Sequence, residues 1–375
     1  MLQRGGSINP SAFPDEEFEL YSIPAHDAGG HEICLGSEIG SAKQVVQSGD
    51  VMLSKIVPHI RRAAIVGDPQ RRQIASGEWI VFRGASFHPN YLRQYLLSDD
   101  FHAQFLNTVA GVGGSLLRAR PELVKRIEIN LPSVTEQRRI AAILDQADSL
   151  RTKRRQVLAH LDSLTQSIFH DMFGAIGAST YKPLSALATV TSGITKGRRT
   201  SEPTFATPYL AVSNVQAGRL VMNTVKEIPA TEAEIERYAL ADGDLVLTEG
   251  GDPDKLGRGT VWRNELPLCL HQNHVFRVRI NDSCELLPDF LAGFLSDSRA
   301  KRHFLRSAKQ TTGIASINMT QLKALPVPVP SLPNQDEYLQ RMQGTRHQIG
   351  IARRGLASMD NLFSSLQSRA FRGEL

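Results

Sequence analysis

Four short stretches carry side chains suited to gripping an anion. Residues 55–62 (KIVPHIRR) set three cations and a histidine around a proline, and residues 193–199 (GITKGRR) set three cations beside two glycines. Residues 254–259 (DKLGRG) form a Gly-rich loop whose backbone can approach a phosphate, and residues 309–313 (KQTTG) place an amide beside a lysine. Arg and Lys can hold phosphate or read guanine, while Gln and Asn can read adenine. The candidate contacts are Lys55, His59, Arg61, Arg62, Lys196, Arg198, Arg199, Lys255, Arg258, Lys309 and Gln310. Any one of these clusters is also what a solvated surface looks like. Loops recurring at matching places in a repeat favour the contact reading.

Signals for catalysis are poor. The chain has no G-x-x-x-x-G-K-[ST] phosphate loop and no NPPY-like adenine-methylation motif, Asn9-Pro10 being a passing dipeptide. His271 and His274 in HQNH suggest a metal, but no Cys or carboxylate cluster completes a ligand set, and the repeat counterpart, residues 75–78, holds no histidine. They are expected to be structural. Asp252 and Asp254 in DPDK lack a second carboxylate–lysine partner, so a loop is expected there too. The expectation is therefore no catalytic residue and no metal site.

At 375 residues the chain can hold two domains of ordinary size. Its three cysteines, Cys34, Cys269 and Cys284, show no CxxC spacing and are expected to be reduced thiols in a cytoplasmic protein. The polar, acidic N-terminus is not a secretion signal, and no apolar run reaches the length of a membrane span. The net charge is only +5. Residues 1–132 carry 13 Lys+Arg against 14 Asp+Glu, and residues 181–330 carry 18 against 15. Bulk charge therefore does not establish a nucleic-acid partner, and local clusters must.

These clusters hang on two long amphipathic segments. From Leu131 to Gly174 apolar residues fall at Ile140, Ile143, Ala147, Leu150, Val157, Leu161, Leu164 and Ile168, in steps of three and four broken only at Arg154. That is a heptad seam. Thr135 is the expected N-cap and Gly174 the terminator. About forty residues at 1.5 Å each make a rod of roughly 60 Å. A second stripe reads Met342, Ile349, Ala352, Leu356, Met359, Phe363, Leu366 and Ala370. Gly344, Gly350 and Gly355 weaken its helix propensity. The two rods are expected to pack on each other, with Ile140, Leu150, Leu161, Leu164, Leu356, Met359 and Leu366 in the seam.

The chain repeats itself. A shift of 198 aligns Pro132, Gln137, Leu164 and Phe173 with Pro330, Gln335, Leu362 and Phe371. A shift of 194 aligns GDVML at 49–53 with GDLVL at 243–247, and Val81, Phe82 and Arg83 with Val275, Phe276 and Arg277. Strands are expected at 78–83 and 274–280, and helices at 89–107 and 288–307. The first unit has nothing corresponding to Lys182–Ser192. The expected array is a domain at 1–132, a rod at 133–174, a linker at 175–180, a second domain at 181–330 and a second rod at 331–375.

This arrangement resembles the specificity subunit of type I restriction–modification systems. The resemblance covers essentially the whole chain and rests on LPSVTEQRRIAAILDQADSLRTKRRQ, VPSLPNQDEYLQRM and the strand motifs GDVMLSKI and GDLVLTEG. It implies an α/β (α+β) fold with two target recognition domains of mixed short strands and helices, separated by an antiparallel pair of long coiled-coil helices. It implies a non-catalytic reader of double-stranded DNA that holds two methyltransferase subunits and two restriction (translocase) subunits. S-adenosylmethionine, ATP and Mg would then sit on those partners, and this chain would carry no cofactor. The rival reading is a protein–protein scaffold with two repeated binding domains held apart by a coiled-coil hairpin.

Overall fold

The computed structural model describes residues 6–111, 117–177, 180–251, 256–282, 285–311 and 314–375, without the side chains of 309–311 and 314. The fold is mixed helix and strand and internally duplicated. It divides into two compact units, Met1–Gln156 with Arg353–Leu375, and Val157–Ala352. The division runs through both long helices. Each unit holds the start of one rod and the end of the other.

In the first unit, Val51–Ser54 lies between Ala63–Ile65 and Trp79–Phe82 in an antiparallel sheet. In the second, Leu245–Thr248 lies between Gly259–Val261 and Val275–Ile280, and Ala188–Ser192 adds an edge strand. Both central strands are buried on both faces, which accounts for their unbroken apolar run. Val51 and Leu53 join the core under the helices, while Met52 faces a second cluster. Leu245, Leu247 and Val246 divide in the same way. A second sheet in each unit contains one parallel pair, Glu17–Tyr21 with Arg72–Ala75 and Phe205–Leu210 with Leu270–His271.

The Gly-Asp that opens each central strand has a physical reason. Gly49 and Gly243 adopt φ of 83° and 86°, which a side chain disfavours. The next residue closes the turn, as Asp50 accepts the Gln47 N–H at 3.0 Å and Asp244 the Ala241 N–H at 2.8 Å. Both carboxylates are buried, and each takes a two-pronged arginine, Arg83 on Asp50 and Arg279 on Asp244. Sequence had matched Arg83 to Arg277. The strand register instead pairs Val51 with Phe82 and Leu245 with Val278, so the correct shift is two residues longer. A two-residue slip keeps every side chain on its face, so the pattern could not reveal it. Arg277 is instead buried, donating to the Arg237 and Ala239 carbonyls.

Each helix expected at 89–107 and 288–307 is two helices. Ser98 caps Asp99–Leu106 by accepting the Phe101 N–H, and Asp297 caps Ser298–Ser307 by accepting the Arg299 N–H. These caps stop Pro89–Leu96 and Pro288–Leu295 from continuing.

The first long helix spans Val134–Phe173 and the second Leu332–Arg372. Ser133, not Thr135, accepts the first-turn N–H of Glu136. The glycines do not interrupt the second helix, and Gly373 ends it with φ of 76°. Within the first unit the helices run antiparallel, with Arg139 near Leu375 and Arg151 near Asp360. Along the second stripe Ala352, Phe363 and Ala370 are buried and Leu356, Met359 and Leu366 half-buried.

The first stripe is corrected. Ile140 is buried and Leu161 half-buried, but Leu150 and Leu164 are 49% and 47% exposed. The inward positions that alternate with Ile140, Ala147, Arg154 and Leu161 come four residues later, at Leu144, Arg151, Leu158 and Thr165. The reason is Arg151. It reaches Asp360 at 2.7 Å and lies over the Phe363 ring, so a charged residue holds a seam position that pattern reading gave to Leu150.

The ends of the rods repeat as well. Phe371 packs edge-on against Tyr91 at 5.6 Å in the first unit, and Phe173 against Phe290 at 5.0 Å in the second.

Candidate nucleic-acid interface

Lys55 follows the strand Val51–Ser54 directly. Its N–H donates to the Glu78 carbonyl at 3.0 Å and its own carbonyl accepts from Ala119 at 2.8 Å, so three chain segments meet there. Its ammonium stands 3.9 Å from Glu78, which Arg118 also approaches at 3.3 Å. A cavity of about 550 Å³ opens beside them, lined by Lys55, Arg118, Arg120 and Glu122 among others. His59 is exposed. Arg61 bonds Asp99 at 2.6 Å, and Arg62 is clamped by both oxygens of Asp27 at 2.7 Å. The Arg62 guanidinium holds the Asp27 carboxyl below its ordinary range.

In the second unit Lys196 and Arg199 are exposed and have no ion pair among the described residues. Arg198 between them is different. It makes a two-pronged pair with Glu234 and donates to the Pro229 carbonyl at 2.9 Å. Its guanidinium is the main force bringing the Glu234 carboxyl down to about 2. Arg258 is half-buried beside Thr248, whose N–H bonds its carbonyl. Lys255 and the side chains of Lys309 and Gln310 lie outside the described residues, as does Cys284. The candidate cations thus fall into two kinds. Lys196, Arg199 and His59 are presented to solvent, whereas Arg62 and Arg198 are tied into the fold.

His271 is fully buried, its Nδ1 is 2.6 Å from the Val275 carbonyl, and burial pushes its pKa down to about 4. His274 faces outward and its Nδ1 meets Glu249 at 2.5 Å. Among the described residues no group of three or more His, Cys, Asp or Glu is placed to hold a metal. None of the described helices is long and apolar enough to cross a membrane.

Sequence reading missed Arg118, Glu78, Glu249 and His274 as surface groups beside the candidate loops. Their partners lie 23 to 40 positions away along the chain, and only the strand register brings them together.

Residues 194–354 match the family model described as the type I restriction modification DNA specificity domain. Over 292 residues the chain is 26% identical to the type I restriction enzyme EcoKI specificity subunit of Escherichia coli (strain K12), covering 70% of this chain and 61% of that subunit. It is 23% identical over 313 residues to the StySPI specificity subunit of Salmonella potsdam, covering 76% and 65%. The matched region thus spans less than two thirds of either relative. A solved chain described for complex assembly and conformational transition of the type I R-M system superposes with a TM-score of 0.52 at 18% identity, covering 100% of this chain and 96% of that one. Over these stretches the chain is similar to the specificity subunits of type I restriction–modification systems.

Proposed function

We propose that this chain recognises a bipartite sequence in double-stranded DNA, one half-site per target recognition domain, as a non-catalytic specificity subunit. The observation that carries this is the duplication. Two units share the same Gly-Asp turn and Asp–Arg clamp; Lys55 directly follows the central strand in the first, and Arg258 lies beside the end of that strand in the second, its carbonyl accepting the Thr248 N–H at 3.0 Å. A chain built twice on one frame is suited to reading two short sequences. Exposed Lys196, Arg199 and His59 suit phosphate, which positions a reader without specifying sequence.

The subunit holds two methyltransferase subunits and two restriction (translocase) subunits on the site. S-adenosylmethionine, ATP and Mg belong to those partners, and the assembly works in the cytoplasm. The outward apolar positions Leu150, Val157 and Leu164 on the first long helix support a role for the rods in assembly.

The test is enrichment of a randomised duplex pool by the purified chain, followed by titration of the winning duplex at several salt concentrations. Two short enriched sequences at a fixed gap, with affinity falling steeply as salt rises, support the reading. Salt-insensitive binding with no enriched sequence supports the protein scaffold instead.

A further inference from the structure

The two units share a buried Asp–Arg clamp, and among the described residues they differ at an exposed place beside it in sequence. Lys55 and Glu249 occupy the same position, immediately after the central strand. The Lys55 N–H donates to the Glu78 carbonyl at 3.0 Å, and the Glu249 N–H to the His274 carbonyl at 3.0 Å. The Lys55 carbonyl accepts from Ala119 at 2.8 Å, and the Glu249 carbonyl from Ile317 at 2.9 Å. The backbone arrangement is therefore duplicated. The side chains it presents are not. The first unit sets a lysine against a glutamate at 3.9 Å, and the second sets a glutamate against a histidine at 2.5 Å. The acid has changed sides.

At Asp50–Arg83 and Asp244–Arg279, by contrast, the chemistry is the same in both units, because each carboxylate is buried and the fold needs it paired. At the Lys55 and Glu249 positions the side chains are a quarter to a half exposed, so folding does not dictate their type. In the first unit Lys55 opens the candidate loop 55–62, and in the second Arg258 lies next to Glu249, its carbonyl accepting the Thr248 N–H at 3.0 Å.

We propose that Lys55–Glu78 and Glu249–His274 are the specificity-determining pairs of the two units, touching base edges and making the two half-sites differ. This rests on the DNA-reading function proposed above. An ammonium donor such as Lys55 suits the O6 and N7 acceptors of guanine, whereas a carboxylate such as Glu249 accepts from the amino group of cytosine. Each pair keeps its partner occupied until a base edge offers a better geometry. A wrong base then leaves a charge without its hydrogen bond.

The experiment moves one pair into the other unit. Full-length chain carrying Glu249→Lys and His274→Glu, and a second variant, Lys55→Gln, are each used to enrich a randomised duplex pool beside the wild type. The transplanted pair is expected to change one half-sequence, towards guanine at one position, and to leave the other half intact. Lys55→Gln is expected to weaken discrimination at a single position of the other half by about ten-fold. Folded variants that enrich the wild-type sequence unchanged would overturn the proposal. So would a uniform loss of affinity across all sequences, which marks a phosphate or purely structural contact. Should the wild type itself enrich no sequence, the DNA-reading function fails, and that result is distinct from failure of the pairs.

Discussion

The side-chain carbonyl of Gln137 accepts the backbone N–H of His88 at 2.7 Å, while its amide donates to the carbonyls of Ser86 and Pro132 at 3.2 and 2.9 Å. Gln335 repeats this in the second unit, accepting from Leu287 at 2.8 Å and donating to Glu285 and Pro330 at 2.9 and 2.8 Å. Both glutamines are fully buried. The Pro-x-x-x-x-Gln motif is thus a brace that fixes where each long helix leaves its domain. Gln137→Met and Gln335→Met strand one N–H and two carbonyls apiece. Each is expected to cost about 2–3 kcal/mol, and the two should match within about 1 kcal/mol, as read from urea midpoints. A shift near zero in either variant would remove the brace from the account.

The corrected seam gives a second prediction. Leu144 is fully buried, whereas Leu164 is 47% exposed. Leu144→Asp is expected to cost about 3 kcal/mol or more, and Leu164→Asp to change stability by no more than about 0.5 kcal/mol. Thermal melting of the two variants decides it. Comparable destabilisation by both would restore the seam through Leu150 and Leu164.

His271 makes the second unit sensitive to acid. Burial holds its folded pKa at about 4, against an ordinary value of 6.5. Between those values the unfolded chain binds a proton that the folded chain refuses, so stability falls as pH drops from 6.5 towards 4. The loss is about 3 kcal/mol at most. Urea unfolding at pH 7 and pH 4.5 should show a larger drop for the wild type than for His271→Gln. Equal drops would place the acid sensitivity on other groups.

Much of this was legible in the sequence because it is local. The duplicated Gly-Asp turns, the repeated spacing of Pro132 and Gln137 with Pro330 and Gln335, and the stripe of the second helix all follow from short-range pattern, whereas the groups that the two glutamines brace lie 48 to 51 positions away. The first helix misled because Arg151 looks like a surface residue until Asp360 and Phe363, more than 200 positions away, give it a partner. The same cause hid the clamps on Arg62 and Arg198, whose acids lie 35 and 36 positions away. Charge pairing between distant segments leaves no periodic trace. For the same reason the groups that set Lys55 and Glu249 apart came into view only once the strand register was known.

The central claim is that each unit reads one half of a bipartite site, and a domain exchange tests it most directly. Residues 181–330 are replaced by the corresponding segment of the Escherichia coli specificity subunit, and both chains enrich the same randomised duplex pool. The account predicts that one half-sequence is replaced while the other persists unchanged. A chimera that folds but alters both halves, or neither, would contradict it.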